Sequence, residues 1–224
     1  MRRNAAAVAV EQTLEHGAAT FLYRPRVEAQ RVDELADVQR LLLLLAPAGS
    51  AYQRLIAIGR KRLPRSAKRD RYWGFVDLVL TPHDMAAALD TQVYGTRMRG
   101  MRHLPAAQPI AYGSYSLATH GSHSHLRWDI ERYEPRDPIS FEAEVEEHAD
   151  SIVTVANPDL AVWGLHEPSD LQEKLFDELE LHVTIPAPFP AHLQERFGSR
   201  RFTPLDTPEW LDHPGAEIVF IGAE

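Results

Sequence analysis

Apolar and polar positions change period repeatedly along this chain, and the changes predict short strands with a few helices between them. The start of the chain, MRRNAAAVAVEQTLEHG, carries small apolar residues interrupted by Glu11 and Glu15, which predicts a short amphipathic helix ending at Gly17. Residues 20–27 (TFLYRPRV) predict an aromatic-rich strand, with Pro25 suited to an edge. Five consecutive leucines at 41–45 fit either a helix face or a strand buried on both faces. Two apolar runs that follow at once, 52–59 (YQRLIAIG) and 73–80 (WGFVDLVL), favour the strand. Thr81-Pro82 with Asp84 supplies a cap, a proline at the first helical position and an early acid, so a short helix starts there and reaches about Leu89. Period-two alternation returns at 110–119 and 125–132 around a Gly-Ser turn, and again at 151–156. Ser169 to Gln172 has the spacing of a capping box for a helix over 170–181. A second helix, 191–197, stops at Gly198, and 217–221 is a closing strand.

Three pairs of segments resemble each other across the chain: GRKRLP at 59–64 with GSRRFTP at 198–204, RYWGFVDLV at 71–79 with DHPGAEIVF at 212–220, and LLLLLAP at 41–47 with IVTVANP at 152–158. Together with the predicted elements they give an expected α+β fold, with mixed, mostly antiparallel sheets, a few short helices and two internally duplicated lobes. The expected division is a basic lobe over 1–112 and an acidic lobe over 113–224.

That division follows the charge. Residues 1–112 hold 17 Lys and Arg against 10 Asp and Glu, and residues 113–224 hold 7 against 22, so halves of +7 and −15 make up the net −8. Such a split points to an anionic partner for one surface or to the halves docking on each other. The chain has no cysteine, which excludes a disulfide framework, a thiol nucleophile and a Cys-ligated metal. No apolar run approaches the roughly 20 residues of a membrane helix, and Glu11 and Glu15 interrupt a signal-peptide reading. The expected setting is the cytoplasm, with no membrane partner.

The candidate chemistry is cationic first. Residues 54–71 contain Arg54, Arg60, Lys61, Arg62, Arg65, Lys68, Arg69 and Arg71 against Asp70 alone, and Trp73 follows. Converging guanidiniums suit phosphate, and an adjacent aromatic ring suits base stacking. A second cluster, Arg97, Arg99 and Arg102, could close the same site from the linker. The opposing interpretation is a solvated loop whose cations pair with the acidic half.

His120, His123 and His125 precede Asp129 and Glu131. On a strand His123 and His125 face the same way, and with Asp129 they form a candidate divalent-metal set. This His-Xaa-His with a nearby carboxylate is similar to the metal motif of cupin barrels over this short stretch alone. The upstream glycine spacing differs, Asp129 stands where Glu is usual and no second His motif follows, so the resemblance carries no activity over. Glu142, Glu144 and Glu146 would share a face if extended, as cation ligands or as a solvated strand face. No GxSxG, P-loop, GxGxxG or HExxH is present. The expectation that follows is capture of a phosphorylated small molecule or nucleic acid by Arg60, Lys61, Arg62, Arg97, Arg99 and Arg102 with Trp73. A metal-dependent enzyme and a non-catalytic interaction protein are the alternatives.

Overall fold

The computed structural model describes residues 11–66, 68–96, 100–134, 139–164 and 188–223. Its centre is one antiparallel sheet that closes on itself. Strands β1 (Gln12–Pro25), β2 (Val38–Pro47), β3 (Gln53–Ile58) and β4 (Arg71–Leu80) run as a meander. Helix α1 (Pro82–Leu89) and a separate hairpin, β5 (Gln92–Thr96) with β6 (Gly100–Leu104), lead to β7 (Gln108–His120) and β8 (His123–Tyr133). After α2 (Ile139–Glu142) come β9 (His148–Ala156), α3 (Ala191–Phe197), β10 (Phe202–Pro204) and β11 (Glu217–Gly222). β7 pairs with β1, and β11 pairs with both β4 and β9. β9 also pairs with β8, which completes an eight-stranded barrel.

This corrects the expected α+β fold of two duplicated lobes. The barrel draws strands from both halves of the chain, and position 112 falls inside β7. The resembling segments are strands and turns with common chemistry: 71–79 lies in β4 and 217–220 in β11, which are neighbours in one sheet. Residues 12–17 are likewise strand, not helix, because they pair with Thr119 to Tyr115 of β7. The capping box at 169–172 and its helix lie outside the described residues.

Alternation explains the rest of the core. Ala19, Phe21 and Tyr23 of β1, Leu41, Leu43 and Leu45 of β2, and Tyr115 and Leu117 of β7 fill the barrel together with Leu126 and Trp128 of β8. Phe21 meets Trp128 edge-on at 5.5 Å. An eight-stranded barrel is about wide enough for side chains to fill, and two caps complete the packing. Phe189, Leu193, Phe197, Trp210 and Leu211 join the core where β1 begins, and Leu63, Ile139, Ala143 and Val145 join it at the opposite end. Strand curvature relies on bulges and on glycine: a Cβ at Gly113 would come within 2.0 Å of the Asp129 carbonyl oxygen on the neighbouring strand.

The alternate leucines, Leu42 and Leu44, point outward and pack with Leu22, Leu55, Phe75 and Met85 of α1. The leucine run is therefore a strand buried on both faces. Thr81 accepts the Asp84 N–H to cap α1, as its sequence predicts. The helix ends on Arg24, whose buried guanidinium donates to the carbonyls of Ala88 (2.7 Å), Asp90 (3.0 Å) and Pro105 (2.9 Å). A bulge in β4 falls at Asp77, whose buried carboxylate lies 3.4 Å from Arg40. No helix among the described residues is long and apolar enough to cross a membrane.

A second polar group pins a cap to the barrel mouth. Arg54 of β3 donates to both oxygens of Glu15 on β1 (2.6 and 2.8 Å) and to Asp212 in the turn before β11 (2.7 Å). The Tyr115 hydroxyl donates to Glu15 at 2.6 Å. Burial works against the Arg54 charge, but its bonds to the two carboxylates prevail and raise its pKa; burial and Glu15 push the Tyr115 pKa up. Arg54→Met leaves Glu15 buried without its counterion and should cost about 3–5 kcal/mol in a urea melt. Adding Glu15→Leu should recover part of that loss.

Glu217 on β11 faces outward opposite Phe75, and among the described residues no hydrogen bond reaches its carboxyl. Burial pushes its pKa up from 4.5 to about 7. The folded chain thus holds a proton that the unfolded chain releases, so stability from this group is full below pH 4.5 and falls as pH rises to about 7. Glu217→Gln should match wild type at pH 4 and exceed it at pH 8 by up to about 3 kcal/mol. Equal stabilities of the two proteins at pH 8 would show that the carboxyl is solvated.

Candidate functional site

The filled barrel directs attention to its outside. Alternation sends His123, His125, Arg127 and Asp129 of β8 outward, since Leu126, Trp128 and Ile130 point in. His123 and His125 share a face, as their spacing predicts. Their surroundings divide them. His125 Nδ1 lies 2.7 Å from Asp150 of β9, a carboxylate that also accepts from Arg127 at 2.7 Å. Arg127 reaches Glu11 as well. Asp129 instead pairs with His148 at 2.7 Å. The structure places His123, His125 and Asp129 in one row but gives His125 and Asp129 different partners. Among the described residues no group of three or more His, Asp or Glu is arranged to hold a metal ion.

The three glutamates predicted to share a face are each taken by a different donor. Glu142 accepts the Leu35 N–H, Glu144 pairs with Arg65, and Glu146 accepts from the N–H and hydroxyl of Ser66. α2 and the turn after it replace the extended segment the alternation suggested, and Glu144 has a left-handed φ of 56°. The Arg65 hydrogen bond holds the Glu144 carboxyl below the usual range against the effect of burial, with help from the nearby charges of Arg62 and Lys68. Part of the charge split is therefore spent inside the molecule, through Arg65–Glu144 and Arg54–Asp212.

The segment joining β3 to β4 holds the remaining cations. It leaves Ile58, turns through Gly59–Lys61 and crosses the lower end of the barrel. There the Leu63 N–H bonds the Ala143 carbonyl, and the Gly222 N–H bonds that of Asp70. Arg60 (φ 59°, ψ 3°) and Lys61 (φ 55°) are consecutive left-handed residues without glycine's freedom, a conformation that costs about 1–2 kcal/mol each. The turn aims Lys61 inward, where its Nζ donates to the Val38 carbonyl. Arg60 and Arg62 stay exposed.

Among the described residues, five Arg and Lys side chains make no hydrogen bond or ion pair: Arg60, Arg62, Lys68, Arg69 and Arg71. All five are exposed; four lie in this segment and Arg71 is the first residue of β4. Every other described cation is engaged, for example Arg31 with Asp33, Arg132 with Glu134, Arg196 with Asp206, and Arg200 with the Arg196 carbonyl.

The other residues singled out from the sequence have separate settings. Arg102 on β6 is half-buried and lies 3.6 Å from Glu28. Its hairpin sits at the same end of the barrel, because Arg24 at the end of β1 holds the Asp90 and Pro105 carbonyls that flank it. Arg97 and Arg99 lie outside the described residues. Trp73 is on the outer face of β4, packed against Trp163 (6.3 Å between ring centres) and Phe202 (5.9 Å). Compared with known proteins, the chain matches no family model, no curated protein and no solved structure.

Proposed function

We propose that this protein binds a phosphorylated polyanion through the loop between β3 and β4, with Arg60, Arg62, Lys68, Arg69 and Arg71 as the phosphate contacts. The observation that carries the reading is their lack of partners. In a chain of net charge −8, acids are abundant, and the other described cations have found an acid or a carbonyl. Five that have none, close together in sequence and exposed, outnumber the acids beside them, Asp70 and Glu144, so their mutual repulsion is only partly offset within the chain. Four are arginines, whose planar forks suit phosphate oxygens better than a lysine point charge. Two adjacent left-handed residues hold the turn that presents Arg60 and Arg62, and strain of this kind gathers at ligand clamps.

The ligand class is the one anticipated from sequence, but the contact set differs. Lys61 is turned onto a carbonyl and Arg102 is paired with Glu28, whereas Lys68, Arg69 and Arg71 are free to bind.

Calorimetric titration with inorganic polyphosphate at two salt concentrations tests this. Replacing Arg60, Arg62, Arg69 and Arg71 together by Ala should weaken binding at least tenfold at low salt. It should also reduce the slope of log affinity against log salt by up to about 4. Lys61→Ala should leave affinity within about twofold, because its ammonium is not offered to the ligand. A wild-type chain that ignores polyphosphate, or a fourfold variant that binds like wild type, would sink the reading.

A further inference from the structure

We infer that the polyanion is a single-stranded nucleic acid, whose bases stack on an aromatic strip that continues the cationic loop across the outside of the barrel. This inference rests on the polyanion reading above and adds the chemical class. Arg71 and Trp73 are two residues apart on β4 and so share the outer face. Their partners on β11 are Ile221 and Val219. Trp73 touches Phe202 at the start of β10, and Phe202 meets Trp163 edge-on at 5.1 Å. The Arg201 guanidinium lies 5.8 Å from the Trp163 ring and donates to the Trp163 carbonyl. The order across the surface is thus cation, three rings, cation.

Two properties set this strip apart from core packing. It lies outside the barrel, on β4, the turn after β9 and β10, with Trp73 packed at its edge against the outer apolar cluster, while the aromatic rings of the interior, Phe21, Trp128 and Trp210, are nearly inaccessible. Its outermost ring is open, Phe202 being 36% exposed. An exposed phenyl ring beside guanidiniums matches a ligand that carries flat apolar faces and phosphates on one backbone. Single strands offer their base faces. Duplexes hide them in the stack, and polyphosphate has none.

The test uses fluorescein-labelled oligo-dT of twelve nucleotides, a twelve-base-pair duplex and inorganic polyphosphate, each titrated onto the full chain. Wild type should bind the single strand more tightly than the duplex and quench tryptophan emission as it binds. Phe202→Ala should weaken oligo-dT binding about five- to fiftyfold, leave polyphosphate affinity unchanged and keep the wild-type melting profile. Phe202→Tyr should restore oligo-dT binding. If Phe202→Ala leaves oligo-dT binding intact or weakens both ligands alike, or if the duplex binds as tightly as the single strand, the strip is not a stacking platform, although the cationic loop still binds. If no ligand binds wild type, or if the fourfold arginine variant binds polyphosphate normally, the polyanion reading itself fails.

Discussion

Closure of the sheet is the constraint on which the rest of this structure depends. β9 makes it possible by dividing one edge between two partners. Residues 148–152 pair with β8 and residues 154–156 with β10, while residues 151–155 pair with β11 on the other edge. Without the β8 contact the sheet would end in two long open edges, and the side chains inside would have no opposite wall. With it, Trp128 and Leu126 face Phe21, and the caps need to cover only the two mouths. The buried polar groups stand where cap or helix meets barrel: Arg54 binds β1 to the turn before β11, and Arg24 binds β1 to the end of α1.

Because the interior is full, chemistry is left to the outer face and the loops. There the distinction that matters is between cations already satisfied and cations still available. Arg65, Arg102 and Arg127 are satisfied, and they help hold a loop, a hairpin and the β8–β9 seam in place. The five without a hydrogen bond or ion pair are close in sequence, and of the acids near them Glu144 is bonded by Arg65 and Glu146 by Ser66, which leaves Asp70 as the acid within the run. On the reading proposed above, a surface whose nearby acids are largely committed to architecture and whose arginines are not receives an anion from outside. The aromatic strip extends that surface along the same strand, β4.

Local signals were legible in the sequence. The leucine run read as a strand buried on both faces because two further apolar runs follow it at once, and Thr81-Pro82 and Gly198 marked the helix limits through their own backbone chemistry. Residues 12–17 read as the end of a helix because small apolar residues, interrupted by Glu11 and Glu15, run up to Gly17. In the structure, Glu15 is placed by its bond to Arg54, thirty-nine residues away, a partner no local pattern reveals. Closure was illegible for the same reason, since it depends on pairing β1 with β7 and β8 with β9 in a particular register. The basic loop was visible as composition, but the distinction between Lys61 and its neighbours required knowing that its ammonium reaches Val38. Trp73 was visible too. Phe202 and Trp163 were not, because they join it only through β10 and the turn that follows β9.

A cross-link across the closing seam tests this account most directly. Asp129 of β8 and His148 of β9 are opposed and outward-facing, and the chain has no cysteine to interfere. With Asp129→Cys and His148→Cys, mild oxidation should form a disulfide in nearly every molecule, with native circular dichroism and a raised melting temperature. With Asp129→Cys and Ala149→Cys none should form, because Ala149 points into the core and a shift of one residue reverses the face. Efficient cross-linking of the second pair, or failure of the first in a folded protein, would mean that β8 and β9 do not close the barrel as described.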